Sequence, residues 1–210
     1  MKLVIFDLDN TLVHSQIDYA GMRYSVADLL RASGVTQDSD VQMRRYSVGE
    51  LLAQAAAQDD AIAEIAWGRV LDFERAGMVK ASVEADAAQT LQVLLDDGFK
   101  LAVLTNNARP ATMAALEKFE LLSYFDLILT RNEVTLKPDP AGILTAKSTL
   151  GAGHVFHVGD AWLDGAAANR AGVPYIAFRP LPEAFKGRDI KVWNTVQQLS
   201  ELPRLVAISE

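Results

Sequence analysis

Asp7 and Asp9 are two carboxylates one residue apart, and they directly follow an apolar run, Leu3-Val4-Ile5-Phe6. Such a run suits a strand buried on both faces. Side chains along a strand alternate with period two, so Asp7 and Asp9 point the same way. Burying charge is costly unless it is paired or bound to a metal. Two aspartates at the end of a core strand therefore call for a cation. One carboxylate could then attack an electrophile, while the other moves protons or helps to hold the metal.

Three further polar groups deserve the same scrutiny. Thr105-Asn106 follows the apolar run Leu101-Ala102-Val103-Leu104. A hydroxyl, an amide and loop N–H groups there could hydrogen-bond the oxygens of a phosphoryl group, or the pair could simply cap the helix opened by Pro110. Lys137-Pro138-Asp139-Pro140 sets a cation ahead of a helix on a backbone stiffened by proline. The same lysine could equally be a solvated loop residue. Gly159-Asp160 ends the run Val155-Phe156-His157-Val158, and Asp164 follows four residues after Asp160. That pair could complete an all-oxygen Mg²⁺ site, or Asp160 could cap a helix with Asp164 as surface charge.

The elements that must position these residues follow from pattern. From Val83 onward, helix and strand signals alternate. A helix is expected over 85–95, a strand over 101–104, a helix from Pro110 to Phe119 and a strand over 126–130. A helix from Asp139-Pro140 to Leu150, a strand over 155–158, a helix over 162–171 stopped by Gly172 and a strand over 175–178 come next. An edge strand over 190–193 and a last helix over 196–201 close the chain. This alternation predicts a parallel sheet with right-handed crossovers, and in such sheets ligands bind beyond the strands' carboxyl ends. Asp7/Asp9, Thr105/Asn106 and Asp160/Asp164 all fall there. Residues 14–83 differ: strand-like runs vanish, and three helices are expected. The first covers 19–32. The second, over 51–58, opens on the capping-box pattern Ser47-x-x-Glu50, and the third runs from Asp59 to Gly77 with Gly68 as a weak point.

The motifs D-L-D-N-T at 7–11, L-T-N-N at 104–107, K-P-D-P at 137–140 and G-D-x-x-x-D at 159–164 occur in the order of the haloacid dehalogenase-like (HAD) superfamily, which the chain resembles over its whole length. The resemblance implies an α/β fold: a Rossmann-like three-layer core with a parallel sheet, residues 1–13 and 84–210, plus a small all-helical cap, residues 14–83, inserted after the first strand. It implies a Mg²⁺-dependent phosphatase acting on a small phosphorylated metabolite through an aspartyl phosphate. Asp7 would be nucleophile and metal ligand. Asp9 would be acid and base, with its backbone carbonyl on the metal. Asp160 would ligate directly and Asp164 through water or by fixing that shell. Thr105, Asn106 and Lys137 would hold phosphate oxygens, and Thr11 would steady the loop. Asp9 favours phosphoryl transfer, since dehalogenases of the family lack it. Ala161 departs from the pattern, where Ser or Thr is frequent. Arg44 and Arg45 stand where the cap's specificity loop would lie and would clamp a second anion, as in phosphoglycolate; a solvated helix end is the other reading. A β-phosphoglucomutase-type phosphomutase and a non-catalytic HAD-like binding protein are the alternatives.

Bulk properties narrow the rest. At 210 residues with a net charge of −7, the chain is a poor partner for nucleic acid or an anionic membrane. The absence of cysteine excludes thiolate chemistry and suits the cytoplasm. The N-terminal apolar run ends at Asp7, too soon for a signal peptide, and no run approaches the ~18 residues of a membrane span. A monomer or homodimer is expected. His157 is expected to be a satisfied core histidine, His14 to be structural, and Trp67, Trp162 and Trp193 to pack.

Overall fold

The computed structural model describes residues 1–43 and 45–207. In chain order the elements are β1 (Lys2–Phe6), β2 (Val13–His14), α1 (Tyr19–Ala32), α2 (Asp40–Met43), α3 (Val48–Gln58), α4 (Asp60–Val79), β3 (Ser82–Val83), α5 (Ala87–Asp96), β4 (Phe99–Leu104) and α6 (Arg109–Lys118). There follow β5 (Leu127–Leu129), α7 (Ala141–Thr149), β6 (His154–Gly159), α8 (Trp162–Ala171), β7 (Tyr175–Phe178), α9 (Pro182–Phe185), β8 (Asn194–Val196) and α10 (Leu202–Ala207). The chain forms two compact units: Met1–Ser15 with Ala81–Glu210, and Gln16–Lys80. The sequence pattern and the resemblance place those borders at 13/14 and 83/84. The short antiparallel pair β2–β3 therefore belongs to the α/β unit, at the point where the chain leaves it and returns.

In the α/β unit the strands run in the order β5-β4-β1-β6-β7-β8, and every pairing is parallel. The chain winds outward from β1 through β4 to β5, then returns to β6 on the other edge of β1. This reversal makes a crevice at the carboxyl ends of β1 and β6, where open α/β sheets bind ligands. Register sets Phe6 beside both Val103 and Val158, so Asp7 emerges level with the ends of β4 and β6. Leu3, Val4, Ile5 and Phe6 have no exposed surface, as a central parallel strand requires. Each such side chain contributes about 1.5–3 kcal/mol of burial, which anchors the strand that carries the carboxylates.

The second unit packs α1, α3 and α4 through Met22, Val26 and Leu30 of α1, Leu51 and Leu52 of α3, and Ala66 and Val70 of α4. Ser47 and Glu50 form the reciprocal capping box at the start of α3. Asp59 caps α4 by accepting from the Ala61 and Ile62 N–H groups. Gly68 does not interrupt α4. A Cβ there would meet nothing within 4 Å, so the glycine costs only its propensity, about 1 kcal/mol, which packing of the opposite face overrides.

Two expectations near the C-terminus need correction. Residues 190–193 are not a strand; β8 begins at Asn194. Asn169 holds the Lys191 backbone instead, donating to its carbonyl at 2.9 Å and accepting from its N–H at 2.7 Å, so that peptide needs no strand partner. The last helix is Leu202–Ala207, not 196–201. Val196 still pairs with Phe178 in the sheet, and the Glu201 carboxylate accepts from the Gln197 and Gln198 N–H groups, which turns the chain out of the strand. Among the described residues no helix is long and apolar enough to cross a membrane.

Candidate active site

The loop after β1 is shaped by Asn10, which sits at φ 58°. Asparagine tolerates this left-handed conformation better than most residues. The turn lets the Leu8 carbonyl accept from the N–H groups of Thr11, Leu12 and Val13, while the Asn10 N–H donates to Val13 at 2.6 Å. The result buries Asp7 and Asp9 at the end of β1. The Ser15 N–H donates to Asp9 Oδ1 at 3.2 Å. Thr11 Oγ1 is buried with no hydrogen-bond partner among the described residues.

Lys137 reaches this place from the loop before α7. Its Nζ donates to Asp7 Oδ1 at 2.6 Å, to Asp164 Oδ1 at 2.6 Å and to the Leu104 carbonyl at 3.1 Å. The lysine is buried, so the sequence alternative of a solvated loop residue is excluded. Asn106 lies on its backbone: the side-chain oxygen accepts the Lys137 N–H at 2.8 Å, and Nδ2 donates to the Lys137 carbonyl at 3.0 Å. One amide N–H of Asn106 is thus used on protein, and its described role is to hold Lys137. Thr105 Oγ1 accepts from the Asn107 N–H at 3.2 Å and is buried. Neither Thr105 nor Asn106 caps α6, whose N-cap is Ala108.

Asp164 is fully buried at the first turn of α8, not surface charge. Oδ2 accepts the Ala161 N–H at 3.1 Å, and Oδ1 meets His157 Nε2 at 3.2 Å as well as Lys137. The backbone donor explains how the loop is braced although residue 161 carries no hydroxyl. A Cβ on Gly159 would lie 2.3 Å from Asp164 Cγ, so only glycine leaves this carboxylate its place. His157 is a core histidine, with Nδ1 3.1 Å from the Ile5 carbonyl, but it also fixes Asp164. The Tyr175 hydroxyl lies 2.9 Å from the Gly159 carbonyl and 3.1 Å from that of Ala161, bracing the same turn. Arg170 donates to the Pro138 carbonyl at 2.8 Å. Sequence reasoning assigned no such roles to His157, Tyr175 or Arg170. The signal that was available is a polar ring on each of two strands otherwise reading as core.

Carboxylate oxygens of Asp7, Asp160 and Asp164 lie within 4.8 Å of one another, among the described residues. Two oxygens on opposite sides of one small hard cation are about 4.2 Å apart, so this donor set fits such an ion. The electrostatics agree. Burial, with Asp164 and Asp160 nearby, outweighs Lys137 and raises Asp7 well above the usual carboxylate range. Burial and the Asp164 charge push Asp160 up to about 7. Asp164 moves the other way: burial would raise it, but Lys137 and His157 hold it down at about 2. Burial alone would lower Lys137, yet Asp164 and Asp7 raise it, so it stays charged. One lysine does not neutralise the group, and a divalent cation would.

Of the expected residues, Arg45 lies in the helical unit, exposed in a turn, with its N–H donating to the Gln42 carbonyl. Arg44 lies outside the described residues. Trp162 carries the Arg188 guanidinium over its ring, and Trp193 is 42% exposed against Phe156.

A parallel sheet with carboxylates and a lysine gathered at the end of its central strand defines a class of hydrolase: the chain belongs to the haloacid dehalogenase-like hydrolase family, whose model matches residues 4–178. Within that class it is similar to the phosphoglycolate phosphatase of Cereibacter sphaeroides, at 30% identity over 189 residues and 85% of each chain. The phosphoglycolate phosphatase of Rhodobacter capsulatus is 30% identical over 191 residues, 83% of each chain. Among solved structures, a HAD-superfamily hydrolase of subfamily IA from Geobacter sulfurreducens matches with a TM-score of 0.61 at 25% identity, covering 98% of this chain and 96% of that one. A HAD phosphatase from Thermococcus onnurineus shares the fold with a TM-score of 0.66 at 23% identity, covering 98% of each chain.

Proposed function

We propose that the chain is a Mg²⁺-dependent phosphatase that hydrolyses a small phosphate monoester through an aspartyl phosphate on Asp7. The observation that carries this reading is Lys137 Nζ at 2.6 Å from Asp7, inside a group of three carboxylates at the end of β1. Lys137 orients the Asp7 carboxylate, so that its second oxygen faces the incoming phosphorus. Attack forms the Asp7–phosphorus bond and breaks the ester P–O bond. Asp9 gives its proton to the departing oxygen, then takes one from the water that hydrolyses the aspartyl phosphate. The products are an alcohol and inorganic phosphate. Thr105 and the remaining Asn106 N–H supply hydrogen bonds to the transferring oxygens, Lys137 holds their charge with its own, its three N–H groups being spent on Asp7, Asp164 and Leu104, and Thr11 supports the loop. Mg²⁺ would be held by Asp7, Asp160 and the Asp9 carbonyl, with Asp164 fixing the surroundings, and would supply positive charge against the phosphoryl oxygens.

Phosphoglycolate is the favoured substrate, supported by the named activity of relatives at 30% identity. Arg45, and Arg44 beside it, would read its carboxylate. The test is a phosphate-ester panel that includes phosphoglycolate, assayed for inorganic phosphate with and without Mg²⁺. Release that needs Mg²⁺ and disappears in Asp7→Asn is expected. No release from any ester, or unchanged turnover in Asp7→Asn, would sink the reading. A higher KM for phosphoglycolate in Arg45→Ala is the finer expectation.

A further inference from the structure

A buried acid that the chemistry above does not use lies in the α/β unit. Glu84 follows β3 and is 6% exposed. Arg179 holds it with both arms of its guanidinium, at 2.7 and 2.9 Å. Arg179 is itself fixed: its Nε donates to the Gln197 carbonyl at 2.6 Å, its N–H donates to Val196, and its φ of 41° lies in the left-handed region. A non-glycine residue stays there only where its surroundings over-determine it. The Oε2 of Glu84, which takes one of the Arg179 bonds, also accepts from His14 Nε2 at 2.5 Å, and the Glu84 N–H donates to the Leu12 carbonyl at 2.9 Å. The next residue after His14 is Ser15, whose N–H reaches Asp9 Oδ1.

We propose that Glu84 is a positioning residue for Asp9: clamped by Arg179 and clasping His14, it fixes the Ser15 N–H that aims the Asp9 carboxylate. The proposal rests on the phosphatase reading, because only there does Asp9 have a proton to deliver. The path is continuous from the end of β8, through Arg179, Glu84 and His14, to Ser15 and Asp9. Among the described residues, Arg179, Glu84 and His14 make no hydrogen bond or ion pair to Asp7, Asp160 or Asp164. Disturbing this path should therefore weaken proton delivery and spare phosphate binding.

Leaving groups separate this from general damage. Through the first irreversible step, kcat/KM reports phosphoryl transfer to Asp7. An alkyl phosphate needs an acid for its departing oxygen, whereas p-nitrophenyl phosphate scarcely does. Glu84→Gln should lower kcat/KM about 10- to 100-fold for an alkyl phosphate, the scale of a displaced general acid, with at most about a 3-fold loss for p-nitrophenyl phosphate. Asp9→Asn should show the same contrast, larger. Arg179→Ala should behave like Glu84→Gln, and Arg179→Lys should recover part of the loss. If Glu84→Gln fails to fold, His14→Ala leaves the Glu84–Arg179 pair intact and should give the same contrast, smaller. Equal losses on both substrates, or no loss, in a folded Glu84→Gln or His14→Ala protein would overturn the proposal while leaving the phosphatase reading standing. A wild-type protein that releases phosphate from neither substrate, or an Asp7→Asn protein that still does, would remove both.

Discussion

Among its described residues the α/β unit holds two buried acidic centres, and they are built on opposite principles. At Glu84 one carboxylate meets the fork of Arg179 and the His14 ring, so its charge is answered by protein alone. At the end of β1, Asp7 and Asp164 share Lys137 with Asp160 beside them, and the charge is left incomplete. A closed centre of the first kind serves position. An open one of the second kind suits a binding site, because a cation from outside can complete its charge. Burial alone does not separate structural acids from working ones; the balance of charge around them does.

The contrast can be broken experimentally. Its largest expected effect is in turnover: Asp7→Asn should cut phosphate release about 10³-fold or more, measured at saturating Mg²⁺. Next is stability. Lys137→Met should cost about 3–5 kcal/mol by urea unfolding, since it strands two buried carboxylates without their shared cation. Glu84→Ala should cost less, about 1–2 kcal/mol, because the Arg179 side chain is 40% exposed and can be hydrated by water. Asp160→Asn should do the opposite and stabilise the protein in EDTA. Asp160 is held at about 7, above its unfolded value, so between roughly pH 4 and 7 the folded state binds more protons and loses stability as pH rises. The substitution should thus add about 1–3 kcal/mol at pH 8, a rise in Tm of several degrees, and almost nothing at pH 4. If Mg²⁺ is the missing charge, it should raise the wild-type Tm at pH 8 and fail to raise that of Asp160→Asn as far. The smallest effect belongs to the helical unit. Arg31→Ala breaks an exposed i,i+3 pair with Asp28 and should shift stability by less than about 0.5 kcal/mol.

The open centre was legible in the sequence because its charges stand where apolar strands stop. Asp7 and Asp160 each follow directly on a run of buried residues, and sheet register then sets Asp7 level with Gly159, the residue before Asp160. Helix α1, with its apolar spacing from Met22 to Leu30, and the Ser47–Glu50 box were legible for the same local reason. The closed centre was not. Glu84 and Arg179 are 95 positions apart and lie in stretches without distinctive pattern, so only the folded sheet brings them together. Residues 190–193 and 196–201 depart from their pattern because their structure is set by single side chains gripping distant or adjacent backbone. Asn169 on Lys191 and Glu201 on Gln197 and Gln198 override an apolar pattern that by itself spells strand and helix.

The clasp of Asn106 on the Lys137 backbone has a consequence for how such a protein can be altered. An amide that accepts from one backbone group and donates to the other grips the peptide regardless of what side chain that residue carries. The segment around 137 can therefore be given a different charged residue, or a different following helix, and still be delivered to the end of β1. What cannot be exchanged freely is position 106: aspartate could accept but not donate, leucine neither. In a transplant of this loop between relatives, the residue to carry along is the one 31 positions upstream.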